Sequence, residues 1–146
     1  MKTLVFADHD NHALKDGTLA VVTAAAQLGD VHVLVAGHAC EAVANQAAQV
    51  AGVSLVLLAE DPAYEHELAE NVAPLIVNLM ADRDAFLAPA TSTGKNVAPR
   101  VARGLVEYDA QDVARVLGLR TEAQAEVLGY APRSALVHRD HLVLVG

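Results

Sequence analysis

Four short apolar runs decide what this chain can fold into. Thr3–Ala7 (TLVFA), Val31–Ala36 (VHVLVA), Val53–Ala59 (VSLVLLA) and Asp84–Pro89 (DAFLAP) are nearly continuous in apolar, largely branched residues. A run without polar alternation predicts a strand buried on both faces, the habit of parallel sheets. Between the runs the period changes to that of a helix. Leu19, Val22 and Ala26 recur at helical spacing, with Leu28 near the end and Gly29 closing the helix. Ala39–Ala51 is alanine-rich and ends at Gly52. Leu68–Met80 carries Val72, Leu75, Ile76 and Leu79 on one stripe, with Pro74 either kinking the helix or marking its first turn. Val97, Val101 and Leu105 continue the pattern after the fourth run. Strand–helix alternation with short connections specifies a three-layer α/β/α, doubly wound, mostly parallel sheet.

Composition narrows the classes of function. The 146 residues are one domain's worth, and 53% are hydrophobic while only 3% are aromatic, so Ala, Val and Leu must build the core. A net charge of −8 argues against a broad nucleic-acid-binding face. No run of 18 apolar residues appears, so no membrane insertion is expected, and the chain opens directly on a strand-like segment, with no targeting segment seen. Cys40, the single cysteine, excludes an internal disulfide and fits a reducing compartment.

Ligands of such folds sit beyond the carboxyl ends of the strands. Those ends are Asp8–Asn11, Gly37-His38, Glu60-Asp61 and Thr91–Asn96. In the stretch Ala88–Arg100 (APATSTGKNVAPR), Thr91, Ser92 and Thr93 are candidate N-caps, and Gly94 allows close backbone approach to a ligand or to another chain. The turn reads as an anion site made of free N–H groups, or simply as a well-capped helix start. Its order of Gly, Lys and hydroxyl residues is not that of a phosphate-binding Walker loop. Asp8, His9, Asp10 and Asn11 read as ribose or metal ligands, or as structural and partner contacts. His9 with His12, and His138 with His141, each make half a metal site without a third ligand, so no metal is expected. Cys40 at a helix start has neither His38 nor Glu41 placed as an oriented base and reads as a small buried thiol. No catalytic residue is expected.

After Leu105 the pattern changes. Ala110–Leu117 and Thr121–Leu128 are two short helical patterns, each followed by Gly. Ala135–Val137, a turn at His138–His141 and Leu142–Val145 read as a hairpin, able to extend the sheet at the fourth strand or to pair with another chain. Glu122 and Glu126 would repel phosphate, which argues against a helix-turn-helix.

Three segments, FADHDNHALKDGTLAVVTAAAQLGDVHVLVAGH (Phe6–His38), LAENVAP (Leu68–Pro74) and LAPATSTGKNVAPRVA (Leu87–Ala102), resemble the N-terminal domain of the electron transfer flavoprotein alpha subunit. The resemblance covers about residues 1–105, and the tail 106–146 does not match, so a single domain with a divergent or chimeric tail is expected. It implies the adenine-nucleotide alpha-hydrolase-like Rossmann variant with strand order 3-2-1-4-5. It also implies a non-enzymatic, partner-binding part of an electron carrier between acyl-CoA-type dehydrogenases and the quinone pool, in the cytoplasm of bacteria or the mitochondrial matrix. The implied partner is a beta-type subunit or a second copy. The family implies FAD, and AMP in the beta subunit, but the positions of the flavin-binding domain have no match, so no cofactor is expected on this chain alone. By analogy with the beta subunit's AMP loop, Thr93, Gly94, Lys95 and Asn96 are nucleotide-contact candidates. The alternatives are a stand-alone AMP- or ATP-binding domain and a shuffled chimera without native activity.

Overall fold

The computed structural model describes residues 1–116 and 142–145, and side chains through Val106. The elements run β1 (Lys2–Phe6), α1 (Asp16–Ala26), β2 (Asp30–Gly37), α2 (Glu41–Ala48), β3 (Val53–Glu60), α3 (Ala69–Leu79), β4 (Ala85–Pro89), α4 (Ser92–Val116) and β5 (Leu142–Val145). Short 3-10 turns at Pro62–Tyr64 and Met80–Asp82 flank α3. The strands form one sheet in the order β3-β2-β1-β4-β5, which is the order the resemblance implies, and every pairing is parallel.

Both sheet faces are covered. Leu4 and Phe6 of β1, Leu34 and Ala36 of β2 and Phe86 of β4 face α3 and α4, where they meet Val72, Ile76, Val97 and Val101. Val5, Ala7, Val33, Val35 and Leu87 face α1 and α2, where they meet Val21, Val22, Ala25, Val43 and Ala47. The chain's two phenylalanines, Phe6 and Phe86, thus share one face, and the other is packed by Val and Ala with Leu87 and Cys40. Small side chains on that second face let α1 and α2 lie close to the sheet.

The structure corrects several details of the sequence reading. The buried stripe of α1 is Thr18, Val21, Val22 and Ala25, whereas Leu19 is 42% exposed. Periodicity alone did not fix the phase, because Thr18 is drawn inward by bonding to the backbone of Asp8. On α3 the buried stripe is Ala69, Val72, Ala73 and Ile76, and Pro74 sits in the helix interior, with no N–H to offer the Glu70 carbonyl. β3 is an edge strand with half of its residues exposed, not a strand buried on both faces. Ala110–Val116 is no separate helix, since α4 runs unbroken from Ser92 to Val116. Leu142–Val145 does join the sheet, parallel to β4. The other hairpin arm at Ala135–Val137, the turn with His138 and the helical pattern Thr121–Leu128 lie outside the described residues.

Two substitutions separate the buried stripes from the exposed positions. Ile76→Ala, at a fully buried site, is expected to cost about 2–5 kcal/mol in denaturant unfolding. Leu19→Ala is expected to stay within about 0.5 kcal/mol of wild type.

Candidate functional site

In this strand order the connections diverge between β1 and β4: the chain leaves β1 toward β2 on one side and returns to β4 on the other. A crevice at such a switch point is where ligands of open α/β sheets bind. The β1 exit loop and the β4–α4 turn flank it.

The β1 exit is tightly tied. The Asp8 amide donates to Thr18 Oγ1 at 2.9 Å, the Thr18 hydroxyl donates to the Asp8 carbonyl at 3.2 Å, and the Lys15 amide donates to the same carbonyl at 2.9 Å. The Asp8 carboxyl is buried, with Lys15 Nζ 3.6 Å from Oδ1, an ion pair beyond hydrogen-bond distance. Asp10 makes an Asx turn, with Oδ1 accepting from the His12 and Ala13 amides at 2.9 and 2.7 Å. These two bonds, that from Ala13 foremost, lower its pKa. Asn11 takes a left-handed φ of 68°. Its side chain bridges two loops, accepting from the His38 amide at 3.0 Å and donating to the Glu65 carbonyl at 2.8 Å. A Cβ at Gly37 would lie 2.5 Å from Asn11 Oδ1 and 2.8 Å from His9 Cε1, so only glycine fits beneath this bridge.

His9 is buried, and its ring accepts the Asn11 amide at Nδ1, 3.0 Å away. A ring nitrogen that accepts carries no proton, so the proton of the neutral ring is on Nε2. Nε2 lies 2.8 Å from the Ala36 carbonyl and 3.2 Å from Glu67 Oε1. Burial lowers the His9 pKa, against the raising effects of the Ala36 bond and the nearby aspartates. Burial, reinforced by the Asp8 carboxylate, pushes Glu67 up to about 8. Near neutral pH the His9–Glu67 contact therefore joins two neutral groups and is no ion pair. Glu67 itself sits at a left-handed φ of 50°, and its Oε1 and Asp8 Oδ1 are buried oxygens without a hydrogen-bond partner among the described residues.

The β4–α4 turn is built around Gly94. Thr91 is the N-cap, its Oγ1 accepting the Gly94 amide at 3.3 Å while its carbonyl accepts the Lys95 amide at 2.8 Å. A Cβ on Gly94 would fall 1.7 Å from the Pro89 carbonyl oxygen. Gly94 is thus required by the chain's own backbone, whatever else approaches the turn. Thr93 is half-buried, and Lys95 and Asn96 are exposed. The start of this turn packs against the first turn of α1, since a Cβ on Gly17 would touch both Pro89 and Thr91.

Sequence reasoning missed Glu67, Lys15 and Thr18 in this cluster. Only the density of acids in Glu60–Glu67 hints that one of them turns inward. It also missed Glu60, whose Oε1 accepts the Cys40 amide at 3.0 Å. The helix start does not activate Cys40: burial, then the Glu60 carboxylate, raises its thiol pKa. His9 and His12 do not converge on a metal, and no cluster of three ligating side chains exists among the described residues. His138 and His141, with the turn between them, lie outside those residues. Asp8 and Glu67 place two buried carboxyl groups at the β1 exit, a poor lining for the diphosphate of a flavin nucleotide. A cavity of about 480 Å³ lies elsewhere, between α3 and α4, lined by Glu70, Pro74, Val77, Arg100 and Gly104 among others.

Fold and site together define a Rossmann-like α/β domain with a carboxyl-bearing switch point and, among the described residues, no nucleophile–base pair. The electron transfer flavoprotein domain family matches residues 3–129, past the boundary near 105 that the sequence motifs mark. The chain belongs to the electron transfer flavoprotein family. The electron transfer flavoprotein subunit alpha of Pseudomonas aeruginosa is 55% identical over 110 residues, 75% of this chain and 35% of that protein. Its counterpart from Paracoccus denitrificans is 46% identical over 122 residues, 83% of this chain and 40% of that protein. The chain thus spans well under half the length of these relatives. A 45-residue match, 31% of the chain, is 64% identical to 12% of the glutamate 5-kinase of Sphingopyxis alaskensis. No helix among the described residues is long and apolar enough to cross a membrane.

The buried pair sets a pH dependence. Glu67 is raised from 4.5 to about 8, so its contribution to stability is fully present below pH 4.5 and is lost as pH rises through 8. His9 is lowered from 6.5, so its contribution is present above 6.5 and is lost as pH falls. Denaturant unfolding of wild type should show stability falling between pH 6.5, where the opposing effect of His9 ends, and about 8. Glu67→Gln should flatten that fall, gaining on the order of 1–3 kcal/mol over wild type at pH 9. An unchanged slope in the variant would show that Glu67 does not hold the proton.

Proposed function

We propose that the chain is the N-terminal module of an alpha-type electron transfer flavoprotein subunit, a partner-binding scaffold without catalysis of its own. The assembly it serves carries electrons from acyl-CoA-type dehydrogenases toward the quinone pool. The observation that carries this reading is the family match over residues 3–129, with subunit alpha relatives aligned to most of the chain. The strand ends support it: their polar groups tie loops together, and none among the described residues is paired as nucleophile and base. FAD, in this reading, is held by parts of the assembly beyond the described residues. The soluble compartments of such carriers, bacterial cytoplasm or mitochondrial matrix, are part of the same proposal.

Within the module, Thr93, Gly94, Lys95 and Asn96 are the residues we assign to a nucleotide contact. The support is that the Ser92 and Thr93 amides have no partner among the described residues, and Lys95 is exposed beside them. The purified chain, mixed with a beta-type subunit and FAD, should form a complex holding equal numbers of the two chains in light-scattering mass measurements. A stoichiometric flavin band on the chain alone, or failure to associate, would overturn the scaffold reading. In the same preparation, an AMP titration that leaves the Thr93–Asn96 amide resonances unmoved would remove the nucleotide assignment.

A second reading rests on the 45-residue match to a glutamate 5-kinase, which gives the chain a second likeness of another class. Its length is close to that of the tail 106–146, and we assign it to that tail as a chimeric junction near Leu105; the overlap with the family match to residue 129 counts against a sharp joint. Nothing of that enzyme's activity is carried over. Reading the coding locus as single long molecules tests it, because an uninterrupted reading frame across the junction in independent isolates rules out an artefactual fusion.

A further inference from the structure

β3 differs from the three strands beside it. β1, β2 and β4 are each flanked by strands on both sides, whereas β3 pairs only with β2, and nothing among the described residues pairs its outer edge. Val53–Ala59 contains no charged residue and no proline, the usual guards of a free edge. Glu60, the one acid of the strand, is turned away: its carboxylate accepts the Cys40 amide at 3.0 Å. Two large apolar side chains are left out, Leu55 and Leu58, each 43% exposed.

These leucines point to opposite faces of the sheet. Leu55 alternates with Leu57, which packs toward α3 and α4, and Leu58 alternates with Val56, which packs toward α1 and α2. A partner docking flat on either face would cover one leucine and leave the other. A strand laid along the edge covers both and takes up the outward amides and carbonyls as well.

We infer that β3 is a self-association edge, pairing antiparallel with β3 of a second copy about a twofold axis at Val56. Two copies of one edge related by a twofold must run antiparallel. In that register Leu55 faces Leu57 of the second copy, Val56 faces Val56, and Leu58 faces Ser54, each pair on one face of the joined sheet. Glu60 faces Gly52, so no like charges are opposed. This charge pattern selects the occupant: in a chain of net charge −8, an uncharged seven-residue strand whose flanking acid meets a glycine is where two copies meet without repulsion. The inference stands apart from the family reading, since a beta-type subunit can occupy another surface.

Sedimentation of the full chain over a dilution series is expected to show a species of twice 15.3 kDa that dissociates on dilution. Leu55→Lys and Leu58→Lys should each raise the dimer dissociation constant at least ~10-fold with unchanged circular dichroism, because neither side chain belongs to the core. Amide exchange of Ser54–Leu58 should slow as concentration rises. A monomer throughout the series overturns the inference, as does a dimer indifferent to both substitutions, which places the contact elsewhere. Edge amides protected equally at every dilution also overturn it, because the chain's own residues 117–141 then cover the strand. Concentration-independent exchange quenched only by a beta-type subunit assigns the edge to that partner and overturns it too.

Discussion

The burial of β1 on every side is the constraint from which the rest follows. Leu4 and Phe6 point into one helix layer, Val5 and Ala7 into the other, all without solvent contact, while β2 and β4 take the backbone on both edges. A strand so enclosed has only its ends to offer. Its carboxyl end is where the divergent connections open the sheet, so whatever polar residues follow Ala7 must be placed in that opening and satisfied there. Asp8 and His9 are buried because the strand delivers them there, and their partners are recruited from α1, β2 and the loop before α3.

That recruitment explains the character of the crevice. Related folds commonly leave a switch point open for a ligand. Here the Asn11 amide bridge, the His9 ring and the inward Glu67 tie the β1 exit to the β2 exit and to the loop before α3, while Gly94 lies against the Pro89 carbonyl in the β4–α4 turn. The groups chosen are titratable, yet their environment keeps them uncharged near neutral pH. They hold loops in place more than they prepare chemistry.

Much of this architecture was legible in the residues. Continuous branched runs fixed four strands, and glycine or short polar turns fixed where helices stop, so the parallel sheet followed, while its order came from the family resemblance. Phase and lateral position were not legible. Leu19 has the right spacing for a core stripe, but a threonine one step earlier bonds to the β1 exit and rotates the helix. VSLVLLA is as apolar as the inner strands, yet it lies at the margin, because a sequence run does not state how many neighbours its strand will have. The His9–Glu67 contact joins residues far apart in the chain, one of them in a left-handed conformation that no neighbouring residue demands. The capped turn was readable at Thr91, whereas the collision that makes Gly94 obligatory was not.

The proline inside α3 reaches beyond that helix. Pro74 and Glu70 line the same groove against α4, and the proline has no N–H for the Glu70 carbonyl one turn back. That carbonyl loses its usual helical donor to the proline ring, so its partner must come from outside the backbone ladder. A molecule settling between the two helices with a donor at that point would find an acceptor freed from its usual bond.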